Sequence, residues 1–268
     1  MKICICGKGG CGKSTIVSLL SYSFKRQGKK VFVLDSDESN NNLYWMLGFD
    51  QPPKDLMDFA GGKSMVKQKM RSGFSKGEQE TAMSTWEQGV TGLNAIPNEY
   101  ICSGNNLSLL VTGKIHHAME GCACPMGSVS RQFVKNIVLK SDEILLVDTE
   151  AGIEHFGRGV EAGADYVIAV TEPSLESISL AKTIHEMTLR SGSVFKGVII
   201  NKYNSSSQQE QIEKRLAGES IPVIGNLEFS VALQDACLAG KSVANLDEVN
   251  KFDQIVKQLL NGITDSWE

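Results

Sequence analysis

Short apolar runs alternate with longer segments of helical spacing along most of this chain. KICIC opens the sequence, and after a glycine-rich interruption STIVSLLSYSF places Ile16, Leu19, Leu20 and Phe24 on one helical face. KVFVLDSD (30–37) reads as a buried strand ending in carboxylates, LSLLVTG (107–113) as another, and EILLVDTE (143–150) as the next. DYVIAVTEP (165–173), FKGVIINKY (195–203) and IPVIGNLEF (221–229) continue the series. SLESISLAKTIHEMTLR (174–190) has the apolar spacing of a covering helix. This alternation predicts an α/β fold, a mostly parallel central sheet flanked by helices on both faces. From about residue 50 to 105 the pattern gives way to a polar, Gly- and Lys-rich stretch with helical patches and little continuous strand. No composition break or linker divides the chain, so the expectation is a single domain, 1–268, with a variable helical insertion at about 50–105.

The C-terminal segment NKFDQIVKQLLNGITDSWE sets Phe252, Ile255, Val256, Leu259, Leu260 and Ile263 on one helical face. It carries Lys251 and Lys257 but ends in Asp265 and Glu268. A helix lying on a membrane needs more cations beside its apolar face, so core packing is expected. At 268 residues with 41% apolar and 22% charged positions, the chain can bury a sizeable core. Its net charge of −4, without a basic block, argues against a nucleic-acid partner. No run approaches the roughly 18 apolar residues of a membrane span, and residues 1–20 lead straight into the first strand and its loop, without a signal peptide. Seven cysteines, an odd number, then suggest a reducing cytoplasm rather than a disulfide framework.

The interruption after KICIC is Gly7–Ser14, GKGGCGKS. Between a strand and a helix, such a loop turns the backbone N–H groups of Gly9, Gly10 and Gly12 toward phosphate oxygens at the helix N-terminus. Lys13 would neutralise the β- and γ-phosphates, and Ser14 would offer its hydroxyl to Mg²⁺. The stretch from Gly9 and Gly10 through Cys11, Gly12, Lys13, Ser14 and Thr15 is therefore the expected contact set of a nucleoside triphosphate. Two later strands end in aspartate, where such sheets bind ligands beyond their carboxyl edge. Asp148, after EILLV, suits a Walker B carboxylate holding Mg²⁺ through water. Asp148-Thr-Glu-Ala-Gly152 also fits a DxxxG turn whose glycine amide senses the γ-phosphate. Asp37 lies 24 residues after Lys13, and Asp35, closer to the body of its strand, reads as structural.

Cys122-Ala-Cys124 is the second informative feature. Two thiolates one residue apart can clamp a soft metal, but they leave zinc or nickel underligated. A dimer with both pairs on its twofold axis would supply four sulfurs. Cys4 and Cys6 share the spacing but lie in the first strand, where small apolar side chains are wanted. Cys11 fills the phosphate loop, and Cys102 and Cys237 have no partner nearby in sequence.

The early second lysine, Lys8, makes the loop similar to that of the deviant Walker A ATPases, the class of MinD, ParA and the nitrogenase iron protein. The resemblance implies ATP and ADP as ligands and a homodimer in which Lys8 reaches the partner's phosphates. It implies a catalytic set of Lys8, Lys13 and Asp37, the aspartate orienting the attacking water. It also implies that Asn201, followed by Lys202, reads adenine, with GNLEF (225–229) as the second wall of the base pocket. GCACP (121–125), DTEAGIEHFGRG (148–159) and DSDESN (35–40) resemble one branch of that class, the CooC/AcsF nickel-insertion ATPases. That branch implies one Ni²⁺ or Zn²⁺ held by Cys122 and Cys124 of both chains, and nickel delivery to a client, carbon monoxide dehydrogenase or acetyl-CoA synthase. Two departures stand: DSDES replaces the commoner DxDP, and Ser14 replaces a frequent threonine. His116 and His117 stay open between transient metal ligands and surface residues, and His155 suggests a relay between nucleotide and metal. Two other functions compete: an ATP-dependent reductase with a dimer-bridging [4Fe–4S] cluster, and a MinD/ParA-like regulatory ATPase.

Overall fold

The computed structural model describes residues 1–76, 92–93, 96–115 and 124–261. In β1 (Lys2–Gly7) the two-residue period divides KICIC between the faces of a sheet. Ile3 and Ile5 enter one core, while Cys4 and Cys6 enter the other. α1 (Lys13–Arg26) covers the isoleucine side with Ile16, Leu19, Leu20 and Phe24, all buried. The chain continues through β2 (Lys30–Asp35), α2 (Leu43–Met46), α3 (Leu56–Phe59), α4 (Gly62–Lys76), β3 (Cys102–Gly104) and β4 (Leu107–Val111). α5 (Cys124–Asn136), β5 (Glu143–Asp148), α6 (Glu154–Arg158), β6 (Tyr166–Thr171) and α7 (Leu175–Ser191) follow. β7 (Val194–Tyr203), α8 (Ser206–Gly218), β8 (Val223–Glu228), α9 (Val231–Leu238), α10 (Glu248–Lys251) and α11 (Asp253–Asn261) complete the order.

Among the described residues eight strands form one sheet in the order β3-β4-β2-β5-β1-β6-β7-β8. Every pair is parallel except β3 with β4. The mostly parallel sheet with helices on both faces is the α/β fold the alternation predicts. After β4 the chain returns to insert β5 between β2 and β1, then crosses β1 to lay down β6–β8. That reversal opens a crevice beyond the carboxyl ends of β1, β2 and β5.

The strands stop two residues short of the bounds read from sequence, 30–37 and 143–150: β2 ends at Asp35 and β5 at Asp148, and the polar residues beyond them are loop. β3, in the 50–105 stretch, is a three-residue antiparallel edge too short to leave a periodic signal. In the same stretch Leu56, Met57 and Val66 are buried with Met126, Val129 and Phe133 of α5. At the C-terminus Phe252, Ile255, Val256 and Leu259 pack in the core that α1 lines, while Ile263 lies outside the described residues. Asp253 ties this end to α1, accepting from Ser23 Oγ at 2.6 Å and pairing with Arg26 at 2.8 Å. Among the described residues no helix is long and apolar enough to cross a membrane.

Candidate nucleotide site

α1 begins at a bare N-terminus. Its N-cap, Gly12, has φ 96° and no side-chain cap, and the first turn carries no acidic residue. α7, α8 and α9, by contrast, are capped by the hydroxyls of Ser174, Ser205 and Ser230. The uncapped amides and the dipole of α1 are left for an anion. A Cβ on Gly12 would strike Asn201 Nδ2, so glycine is required by the backbone conformation and by this close approach. Asn201 Nδ2 donates to the Cys11 carbonyl at 2.8 Å, and Lys202 Nζ to that of Gly10 at 2.5 Å. The end of β7 thus buttresses the phosphate loop. Lys13 is 6% exposed, its ammonium curled inside the loop 3.4 Å from the carbonyls of Gly7 and Lys8. Lys8 faces outward, its ammonium 2.8 Å from Glu176 and 3.6 Å from Glu172. A cavity of about 260 Å³ beside Thr15 is lined by Asn201, Lys202, Phe229, Leu233 and Cys237.

Neighbouring strands bring two carboxylates together, since Asp35 of β2 pairs in register with Asp148 of β5. Asp35, buried, lies 2.7 Å from the Lys114 ammonium, which also donates to the Asp37 carbonyl at 2.6 Å and to that of Asn40. Its part is structural, anchoring the loop after β2. Asp148 is fully buried and accepts from Ser14 Oγ at 2.6 Å, while Asn40 Nδ2 donates to the same hydroxyl at 2.7 Å. Burial, and then the charge of Asp35, pushes the Asp148 carboxyl up to about 7. Its other oxygen, Oδ1, is buried without a hydrogen-bond partner. A hydroxyl beside an orphaned carboxylate oxygen fits a hard divalent cation, so Ser14 and Asp148 are the residues that would hold Mg²⁺.

The same burial makes a prediction. The folded protein keeps the Asp148 proton up to about pH 7, whereas the unfolded chain releases it near 3.8. Its contribution to stability is present below the lower value and is lost as pH rises through the higher one. Asp148→Asn is therefore expected to stabilise the nucleotide-free, metal-free protein at pH 8 by about 2–4 kcal/mol, with little gain below about pH 4. Denaturant unfolding in chelator at the two pH values measures this. Equal stability of the two proteins at pH 8 would show that Asp148 is not an uncompensated buried charge.

Two loops flank these carboxylates. Asp37 is half-buried, its Oδ1 accepting from the amide and hydroxyl of Ser39 at 2.9 and 2.6 Å. Glu38, next to it, is buried, and its carboxyl is pushed up to about 7 by burial first and by Glu150 second. Arg158 Nη1 lies 2.8 Å from both Glu38 and Glu150. Gly152 adopts φ 85° and its amide donates to the Gly7 carbonyl at 3.1 Å, stitching the turn after Asp148 to the phosphate loop. His155 is buried with Nε2 3.1 Å from Cys6 Sγ. Burial, aided by the charges of Lys13 and Arg158, lowers its pKa to about 3, so the ring is neutral. Cys124 is the exposed first residue of α5, whereas Cys122, His116 and His117 lie outside the described residues. Among the described residues no three His, Cys, Asp or Glu side chains converge as a metal cage.

Sequence reasoning missed Lys114, Asn40, Glu172 and Glu176, and it gave no role to Glu38, Glu150 or Arg158. Those last three do lie inside the stretches DSDESN and DTEAGIEHFGRG. Their partners, up to 120 residues away, leave no spacing to read.

Known proteins share this architecture and sequence. The profile of the CobQ/CobB/MinD/ParA nucleotide binding domain matches residues 3–243. An ATP-binding protein of Methanocaldococcus jannaschii is 44% identical over 226 residues, covering 84% of this chain and 88% of its own length. The carbon monoxide dehydrogenase accessory protein CooC of Rhodospirillum rubrum is 30% identical over 248 residues, covering 92% and 90%. The septum site-determining protein MinD of Pyrococcus horikoshii, solved with Mg-ADP, superimposes with a TM-score of 0.69 at 18% identity, covering 98% of this chain and 97% of that one.

Proposed function

The chain belongs to the CobQ/CobB/MinD/ParA nucleotide-binding family, and from that premise we propose that this ATPase is a dimeric metal carrier for a nickel enzyme. Two chains hold one Ni²⁺ or Zn²⁺ through Cys122 and Cys124 of each, and ATP controls the assembly of that site. The client is carbon monoxide dehydrogenase or acetyl-CoA synthase, and the observation that carries this choice is the 30% identity, over 92% of the chain, with a carbon monoxide dehydrogenase accessory protein. The fold is compatible with it. Because α5 follows a strand parallel to β2, its exposed N-terminal Cys124 lies at the carboxyl edge of the sheet, the edge that carries the phosphate loop.

Each residue of the site then has a task. The amides of Gly9, Gly10 and Gly12 and the ammonium of Lys13 bind the phosphates. Ser14 and Asp148 would hold Mg²⁺, which when bound would supply charge neutralisation at the phosphates. Asp37, fixed by Ser39 and by the hold of Lys114 on its backbone, orients the attacking water. Adenine occupies the cavity beside Thr15, between Asn201-Lys202 and Phe229. The Asn201 amide nitrogen is bonded to Cys11, so its carbonyl oxygen is the atom left to accept from the exocyclic amine.

Metal content tests the proposal. Protein purified without oxygen should carry about one Ni²⁺ or Zn²⁺ per two chains, four thiolates per ion. Cys122→Ser/Cys124→Ser should lose it while retaining ATP binding. A brown protein with equal iron and sulfide would instead make it a reductase, and an absence of metal would leave a regulatory ATPase.

A further inference from the structure

We propose that Arg158 is a positioning residue that transmits nucleotide state to the cysteine-bearing helix α5. The inference rests on the metal-carrier reading for its biological sense, though its geometry is independent of it. The Arg158 guanidinium joins Glu38, which follows Asp37, to Glu150, two residues past Asp148, at 2.8 Å each. One side chain therefore grips the loop after β2 and the loop after β5, the two segments that face the γ-phosphate. The aliphatic stem of the same arginine lies across Gly127 of α5. A Cβ at Gly127 would come within 3.1 Å of Arg158 Cβ and 3.2 Å of Cγ, and closer still to Cδ, so the crossing requires glycine. Gly127 is three residues from Cys124, about one helical turn. Cys124 is also among the groups felt electrostatically at Arg158: burial opposes the guanidinium charge, while Glu150, Glu38 and finally Cys124 favour it.

The energetics make this contact a transmitter rather than a passive brace. Glu38 is buried and Glu150 nearly so, and a single cation serves both. Releasing either carboxylate unpaired in such surroundings is costly, so the arginine follows the loops when they move. Both contacts are made by one nitrogen, Nη1, at the far end of the guanidinium, a position that a shorter lysine side chain does not reach. At the other end of α6, His155 packs under Cys6 of β1 and fixes the short helix as a pivot. Motion of either loop toward the phosphates then drags the Arg158 stem over Gly127 and shifts the turn that begins at Cys124.

The test reads Cys124 directly and does not need metal. Alkylation of Cys124 by N-ethylmaleimide, followed by peptide mass spectrometry, is timed in ADP and in a non-hydrolysable ATP analogue, with sedimentation on the same samples. In the unmodified full-length protein the two rates should differ by about tenfold or more. Arg158→Met keeps the stem but loses the bridge, and Arg158→Lys keeps the charge but ends short of the Nη1 position; both should lower the ratio severalfold while nucleotide binding and dimerisation persist. Gly127→Ala, which pushes the stem away and leaves the guanidinium, should do the same. A ratio retained in the Arg158 variants, a ratio lost only together with the dimer, or no ratio in the unmodified protein overturns the proposal. Failure of the metal-carrier reading looks different: no zinc or nickel bound, yet a nucleotide-dependent Cys124 ratio that Arg158→Met lowers.

Discussion

Lys13→Ala is expected to abolish ATP turnover without harming the fold. The bare N-terminus of α1 supplies partial positive charge from its amides, but the full cation proposed for the transferred phosphoryl group is Lys13. Donors aimed at developing phosphate charge in a water-excluded seat contribute about 1,000-fold in rate when lost singly. A charged hydrogen bond to the ground-state phosphate adds about 1.5–3 kcal/mol, so ATP affinity should also fall by about 10- to 100-fold. The folded protein loses little. The ammonium makes two long contacts of 3.4 Å and is otherwise buried, so its removal takes away a desolvated charge rather than a strong bond. Turnover measured beside thermal unfolding separates the two: activity gone, with Tm unchanged or slightly raised. Lys13→Arg should fail nearly as badly, because the planar guanidinium does not fit a seat sized for an ammonium. Residual turnover within tenfold of the unmodified enzyme would mean that the phosphates sit elsewhere.

Much of this site could be read from spacing because its chemistry is local. The loop GKGGCGKS lies between an apolar strand and an amphipathic helix, and the carboxylates at the ends of β2 and β5 follow apolar runs that could only be strands. The place of Cys4 and Cys6 inside the apolar first strand correctly assigned them to the core. What spacing could not supply were the contacts made across the sheet. The neighbouring positions of Asp35 and Asp148 follow from strand order, which a chain-order reading does not contain. Lys114 stands 79 residues from Asp35 in a stretch with no pattern of its own, yet its ammonium decides the conformation of the loop after β2. The relay suggested for His155 also changes character. The ring is buried against Cys6 and neutral, so it serves as a packing pivot while the charged connection runs through Arg158. The end of β7 adds a similar lesson: Asn201 and Lys202, read as base contacts, also hold the phosphate loop by its carbonyls.

Lys8→Ala should have the opposite signature to Lys13→Ala: nucleotide binding by the single chain survives, and the ATP-dependent dimer does not. Lys8 makes no use of its own phosphate seat. Its ammonium points outward to Glu172, on the turn after β6, and to Glu176, in the first turn of α7. A cation held at the rim of the loop chiefly by an exposed carboxylate, Glu176, is available to a second copy, since exposed ion pairs are weak and screened by salt. In the proposed dimer the charge of a partner's ATP would outcompete the two glutamates, and the lysine would trade an intramolecular pair for an intermolecular one. A cation delivered in this way across an interface is worth about 10³–10⁵ in phosphoryl transfer. The expected result is therefore a monomer in sedimentation with the non-hydrolysable analogue, turnover reduced by about 1,000-fold or more, and ATP affinity within about threefold of the unmodified chain. Glu176→Gln provides the converse, because weakening the intramolecular pair should lower the ATP concentration needed for dimerisation. If Lys8→Ala still dimerises with ATP, Lys8 is a surface lysine paired with its neighbours. A metal site shared between two chains would then need another cause for its assembly.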